Sequence, residues 1–302
     1  MDVKGGDPPL DASERDDLEA DFRLIVQAIK EERCIPFLGA GASLSDRADS
    51  LPSGPELARR IADEVKYPGE DKGDFLRVCQ YYETVMDAYS LRRFIYKSLT
   101  ISDAAPGIVH HKLAQMPLTH ILTTNFDNLM ERAFRIADKE PIVGLYDWRY
   151  DKAQDLPRGT RRKPIVYKLH GTAEEDRLMS MLCTEDDVIE FIARLTRGEP
   201  VLAPVIQTLF TEFNSFLFIG YGLRDWNIRS MMRSLRWNVP KTSTKSFAVQ
   251  RKPRAPSTAS GPKKDWEWDS ISRYWDTKEN LKIIDSTAVE FTSALYDRFR
   301  LV

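Results

Sequence analysis

Cysteine is scarce in this chain. Its three residues, Cys34, Cys79 and Cys183, stand far apart, so neither a disulfide framework nor a C-x-x-C zinc ribbon can be written, and buried free thiols are expected. Long apolar runs are also missing. Nothing approaches the roughly 18 consecutive apolar residues of a membrane span, and the opening Met1-Asp-Val-Lys-Gly-Gly-Asp-Pro-Pro segment has no apolar core for a signal peptide. A cytoplasmic protein without membrane contact is therefore expected. Charge of one sign does not accumulate: 44 basic against 46 acidic residues leave a net -2, which excludes a global pull toward nucleic acid or an anionic membrane. There are four histidines and no clustered second ligand type beside them, so no metal is expected. No internal repeat is found.

What is present is an ordinary globular composition, 42% hydrophobic over 302 residues, enough for a sizeable core in one large α/β domain or two modest ones. Three short apolar runs end in polar or glycine-rich clusters: Cys34-Ile-Pro-Phe-Leu-Gly-Ala-Gly-Ala-Ser43, Ile121-Leu-Thr-Thr-Asn-Phe-Asp127 and Ile165-Val-Tyr-Lys-Leu-His-Gly171. Each reads as a buried parallel strand that delivers its last residues to a ligand crevice. Together they imply one nucleotide site.

Residues 1–12 read as a flexible leader. Ser13 and Asp16 then form an N-cap pair for a helix with Leu18, Phe22, Ile25, Val26 and Ile29 on one face. The first strand spans Arg33 to Leu38, and its Pro36 lacks a ladder donor, which argues against a central place in a sheet without local irregularity. Ser53-Gly-Pro-Glu56 has capping-box spacing and opens a helix, and a longer helical stretch runs from Asp74 to Leu99. Residues 54–106 are thus expected to form a small helical module inserted after the first strand. From His120 the alternation is regular. Strands are expected to Thr124, at Ile142 to Tyr146, Ile165 to Leu169, Ser215 to Ile219, Phe247 to Val249 and Leu281 to Ile284. Helices are expected at Asn128 to Ile136, Glu185 to Leu195, Val201 to Phe213, Asp225 to Leu235 and Val289 to Leu301. This order predicts an α/β fold with a Rossmann-like, doubly wound parallel sheet. The Pro-, Ser- and Lys-rich run at 250–265 is expected to be a mobile basic loop, solvated or in contact with nucleic acid.

Gly39, Ala40, Gly41, Ala42 and Ser43 follow a strand directly, where glycine lets backbone N–H groups approach a pyrophosphate and where a tight turn also needs glycine for steric reasons. Asn125 and Asp127 sit two apart at a strand end, so both project to one side. The amide suits a water or sugar hydroxyl and the carboxylate a carboxamide or ribose; the alternative is an Asx cap for the next helix. His170 stands at a predicted strand end before Gly171, with room to face the crevice, whereas His110, His111 and His120 read as structural. Gly220, Gly222, Asp225 and Asn227 repeat the design of the first turn, with Asp225 serving as a helix cap or a ribose contact.

These four motifs in this order resemble the sirtuin superfamily: G-A-G-A-S for the NAD phosphates, T-N-F-D including Thr124, K-L-H-G for the catalytic histidine and a late G-Y-G-L-x-D-x-N segment, together spanning Ile35 to Leu235. The four-cysteine zinc ribbon of the deacylase branch is absent, and Ser45-Asp-Arg-Ala-Asp-Ser-Leu-Pro-Ser-Gly54 replaces its D-F-R segment. The Leu-Pro-Ser-Gly-Pro-Glu-Leu57 segment is similar instead to bacterial sirtuin-like defence proteins that hydrolyse NAD during phage infection. The resemblance implies a catalytic domain over 13–302 that cleaves NAD to nicotinamide and ADP-ribose. In it Asn125, Asp127 and His170 would be catalytic, and Gly39 to Ser43, Thr124, Gly220, Gly222, Asp225 and Asn227 would bind the dinucleotide. It also implies a homo-oligomer or a separately encoded activator such as a HerA-like ATPase or a short Argonaute, since the length leaves no room for a substantial fused sensor. The rival readings are an NAD-dependent deacylase or ADP-ribosyltransferase, and a non-catalytic module that binds NAD or ADP-ribose.

Overall fold

Strands buried along their whole length set the architecture. A computed structural model describes residues 12–44, 51–100, 104–149, 152–211, 213–224, 226–235, 244–253 and 266–302. Residues 1–11 of the expected leader, Ser45 to Ser50, Asp225 and residues 254–265 of the expected basic loop lie outside the described residues. Seven parallel strands, β1 (Cys34–Leu38), β2 (His120–Thr123), β3 (Ile142–Leu145), β4 (Ile165–Lys168), β5 (Ser215–Ile219), β6 (Ser246–Val249) and β7 (Leu281–Ile284), form one sheet in the order β3-β4-β2-β1-β5-β6-β7. The helices are α1 (Ala12–Lys30), α2 (Gly54–Glu64), α3 (Phe75–Val85), α4 (Ala88–Thr100), α5 (Ile108–Ala114) and α6 (Leu129–Ile136). They continue with α7 (Glu185–Arg197), α8 (Pro204–Thr211), α9 (Trp226–Leu235), α10 (Trp266–Glu279) and α11 (Ala288–Arg300).

Side chains alternate across each strand, so both faces of the sheet must be covered. Ile35, Phe37, Leu122, Tyr167, Leu169 and Phe218 pack under α7, α8, α9 and Trp275 of α10. Cys34, Leu38, Ile121, Val166, Leu217 and Ile219 pack under α1, α5, α6 and α11. Helices α2 to α4 share a separate core, built on Ile61, Val78, Leu91 and Ile95, which joins Leu178, Met181 and Cys183 rather than the sheet. All three cysteines are buried free thiols. Among the described residues no helix is long and apolar enough to cross a membrane.

Three expectations are corrected. Helix α1 begins at Ala12, so Ser13 and Asp16 lie inside it rather than capping it. The stretch from Asp74 to Leu99 is two helices, because the Asp87 carboxylate accepts hydrogen bonds from the Ser90 amide (2.8 Å) and hydroxyl (2.6 Å) and starts α4 afresh. Strand β1 is central despite Pro36. The Leu38 carbonyl accepts from Thr124 beyond β2, and the Gly39 amide donates to Ile219 of β5. By strand alternation Pro36 therefore faces β2. The β1–β2 register begins only at Phe37↔Leu122, so the missing donor falls where that ladder has not started.

The Ser53 capping box forms as the spacing requires. The Ser53 amide donates to Glu56 Oε2 at 2.7 Å and the Glu56 amide to Ser53 Oγ at 3.3 Å. Strand order reverses at β1, with β2 on one side and β5 on the other. In an open α/β sheet that reversal leaves a crevice beyond the carboxyl ends of the strands.

Candidate active site

The loop after β1 is zipped to the loop after β5. The Gly41 amide donates to the Gly220 carbonyl at 2.9 Å, and the Ala42 and Ser43 amides close a short 3-10 turn onto Gly39 and Ala40. A Cβ on Gly39 would lie 2.7 Å from the Gly220 oxygen, and one on Gly41 2.9 Å from the Gly220 Cα. Gly220 itself has φ +83, and a Cβ there would sit 2.2 Å from the Ala42 nitrogen. Close backbone approach thus accounts for these glycines. Gly220→Ala is expected to destabilise the fold by at least about 1 kcal/mol, read as a lower urea midpoint; an unchanged midpoint would contradict this packing.

Ser43 is the hub of the crevice. Its hydroxyl donates to Asp127 Oδ2 (3.0 Å) and accepts from Asn125 Nδ2 (3.1 Å), and His110 Nε2 lies 3.4 Å away. His110 Nδ1 accepts the Gly107 amide at 3.2 Å, so the proton of the neutral ring belongs on Nε2, facing Ser43. Asn125 Nδ2 also donates to the Gly39 carbonyl at 3.1 Å, which fixes the amide and leaves Oδ1 as the acceptor available to a ligand or water. Asp127 Oδ1 accepts the Leu129 amide at 3.0 Å, so this one carboxylate caps α6 and anchors Ser43 at once. Thr124 Oγ1 and the Tyr221 hydroxyl are 2.9 Å apart, and Tyr221 in turn donates to the Leu38 carbonyl at 2.9 Å.

His170 follows β4. Its ring meets Phe191 edge-on with centroids 5.0 Å apart, and no hydrogen bond ties the imidazole among the described residues. The apolar surroundings hold its pKa down to about 3, so the ring is neutral at physiological pH with a lone pair to offer. His120 is held to about 4 by burial and then by Arg158, and His110 is lowered because burial outweighs the attraction of Asp127. Unfolded histidines titrate near 6.5, so below that pH the unfolded chain binds more protons and stability is lost as pH falls from 6.5 toward 4. The melting temperature is expected to drop already between roughly pH 6.5 and 5, before most carboxylates titrate. A rise over that window would contradict the buried neutral histidines.

One cavity of about 1020 Å³ is lined by Ala40, Ser43, Thr124, Asn125, Asp127, His170, Gly220, Gly222 and Asn227. Gly39, Gly41 and Ala42 do not line it, and their amides donate to other backbone groups. Asp225 lies outside the described residues. The same cavity is bordered by Trp226, Leu44, Arg77, Asp186 and Ile189, which no motif had pointed to as a group, because they come from elements far apart in sequence. Among the described residues no set of His, Cys, Asp or Glu side chains is placed to hold a metal ion.

A family model described as SIR2-like domain matches residues 119–280, more than half of the chain. The chain belongs to the SIR2-like domain family. The matched SIR2-like segment includes the loops after β2, β4 and β5, and the glycine loop after β1 precedes it. The chain is similar to a protein named NAD(+) hydrolase ThsA from Enterococcus faecium, 26% identical over 235 residues covering 75% of this chain and 45% of that protein. A protein of the same name from Cytobacillus dafuensis is 24% identical over 287 residues, covering 94% and 54%. Defense-associated sirtuin 2 of Bacillus subtilis is 25% identical over 236 residues, covering 76% and 22%. The SIR2-like chain thus spans about half the length of the two hydrolases, and less of the third.

Proposed function

We propose that the cavity takes NAD as a substrate and that the chain hydrolyses its nicotinamide–ribose bond, releasing nicotinamide and ADP-ribose. The observation that carries this is the convergence of Asn125 and His170, from different strands, on one cavity that ends at a glycine-walled crevice. Relatives named NAD(+) hydrolase support the same reading. Breaking an N-glycosidic bond builds oxocarbenium character on the sugar, so the site must orient water and accept its proton. The fixed Asn125 Oδ1 accepts a hydrogen bond from that water or a ribose hydroxyl. The neutral His170 ring serves as general base or ribose contact. Each Asp127 oxygen keeps a lone pair beyond its bonds to Ser43 and Leu129, enough to accept from the nicotinamide carboxamide. Ala40 and Ser43 would face the pyrophosphate, with Gly39, Gly41 and Ala42 shaping that turn, and Thr124, Gly220, Gly222, Asp225 and Asn227 would hold the remainder of the dinucleotide.

The biological role we propose is depletion of NAD in antiphage defence. An enzyme of this kind that never rests would exhaust its own cell, so basal activity is expected to be low and relieved by assembly, as a homo-oligomer or with a separately encoded activator such as a HerA-like ATPase or a short Argonaute. The test incubates the purified chain, alone and with proteins encoded beside it, with NAD and follows nicotinamide and ADP-ribose by chromatography. Equal release of both products supports hydrolysis. Nicotinamide without free ADP-ribose would point to transfer, and binding without nicotinamide would leave a recognition module.

A further inference from the structure

A buried ion pair lies directly behind the crevice and has no part in the chemistry above. Lys168 of β4 and Glu131 of α6 are both almost fully enclosed, with Nζ 3.1 Å from Glu131 Oε1. Lys168 is in register with Thr123, the last residue of β2, and its ammonium reaches past the end of that strand. There it donates to the Asp127 carbonyl and approaches the Asn125 carbonyl at 3.5 Å. An ammonium has three N–H donors and no acceptor, so the three oxygens account for all of them.

Two charges in a core cost more in lost hydration than apolar side chains of the same volume would, so such a pair is weak evidence for stability alone. What it supplies here is geometry. The two carbonyls it grips belong to the residues whose side chains meet at Ser43, and between them lies only Phe126, in a stretch that has left the β2 ladder. We infer that Lys168, held by Glu131, is a positioning residue: it fixes the backbone at Asn125 and Asp127 so that both side chains stay aimed at the cavity. The inference rests on the hydrolase reading for its effect on turnover, while its effect on the loop is independent of it.

The discriminating variant is the double substitution Lys168→Met/Glu131→Met, which removes both charges together and leaves neither unpaired. Three quantities are measured on it, on Glu131→Gln and on the wild type: melting temperature, kcat and KM for NAD under conditions where the wild type is active, and amide hydrogen exchange across residues 124–129. The double variant is expected to melt within several degrees of the wild type, since the cost of two carbonyls losing their donor is offset by the relief of burying two charges. It is expected to lose roughly 10²-fold in kcat with KM little changed, as a small misplacement of positioned groups produces, and to exchange faster across 124–129. If turnover and exchange return to wild-type values along with the melting temperature, the pair is merely structural and the inference falls. Should the double variant not fold, near-isosteric Glu131→Gln carries the test, with the same split between kcat and KM expected. Should the wild type release no nicotinamide under any condition, the hydrolase reading fails, and the exchange comparison still decides the positioning role.

Discussion

His170→Ala is expected to lower nicotinamide release by roughly 10²- to 10⁴-fold, the usual contribution of a positioned acid–base group. The fold should survive it. The imidazole borders the cavity and packs at right angles to the Phe191 ring. Such a ring pair is worth about 0.5–1.5 kcal/mol beyond the area it buries, so the expected cost is a lowering of the melting temperature by several degrees, well short of unfolding. Activity and stability therefore separate, and the pair of measurements is decisive: unchanged turnover would remove His170 from the reaction, and unfolding would make it a packing residue. Its depressed pKa adds a second signature. With the ring neutral above about pH 3 in the free protein, no His170 ionisation should cut into kcat/KM between pH 5 and 8.

Arg92→Ala is expected to be the most destabilising single change, lowering the free energy of unfolding by about 3 kcal/mol or more in urea titration. The Arg92 side chain is fully buried, 2.8 Å from Glu83 and 2.6 Å from Asp187. Asp187 is shared: Arg149 reaches Oδ1 at 2.6 Å, while the Cys183 and Thr184 amides donate at 2.9 and 3.2 Å to Oδ2, the oxygen that Arg92 holds. Arg92 therefore ties α3 and α4 to the first turn of α7, and alanine leaves both a void and a partly orphaned carboxylate. Because Asp186, Val188 and Ile189 of α7 line the cavity, substrate affinity should weaken alongside stability. Arg92→Lys keeps the charge but cannot reach both carboxylates with one planar fork, so an intermediate loss is expected. A cost below about 1 kcal/mol for the alanine variant would mean that the network is dispensable.

Much of the scaffold could be read from local pattern. Nearly continuous apolar runs that stop at Gly marked β1 and β5 almost to the residue, because a parallel strand buried on both faces has few polar positions to blur its ends. Pro36 misled because a missing donor matters only where a ladder exists, and where the β1–β2 ladder starts is a tertiary property. Asp87 did carry a readable capping signal, but the apolar periodicity on either side hid the break. Helix α10 escaped although Trp268, Ile271 and Trp275 stand at helical spacing, since it follows a Pro- and Lys-rich run that reads as loop.

The candidate site was legible to the extent that strand ends carry it. Asn125, Asp127, His170 and Gly220 lie beyond the carboxyl ends of β2, β4 and β5, where such a fold opens its crevice. The network behind them was not. Ser43 meets His110 across 67 positions and Asn125 across 82, and Lys168 reaches Asp127 across 41. No spacing rule encodes a contact of that kind. His110 looked structural from sequence, and it is buried and bonded, yet one of its bonds places a proton against the hub of the crevice.

Asn125 and His170 are expected to flank the same sugar of one bound dinucleotide. The most direct measurement is a crystal structure of the slow His170→Ala variant soaked with NAD. The nicotinamide ribose should lie between the Asn125 amide and the space vacated by the imidazole, with the carboxamide toward Asp127. Dinucleotide bound elsewhere, or with its adenine end in that position, would contradict the account.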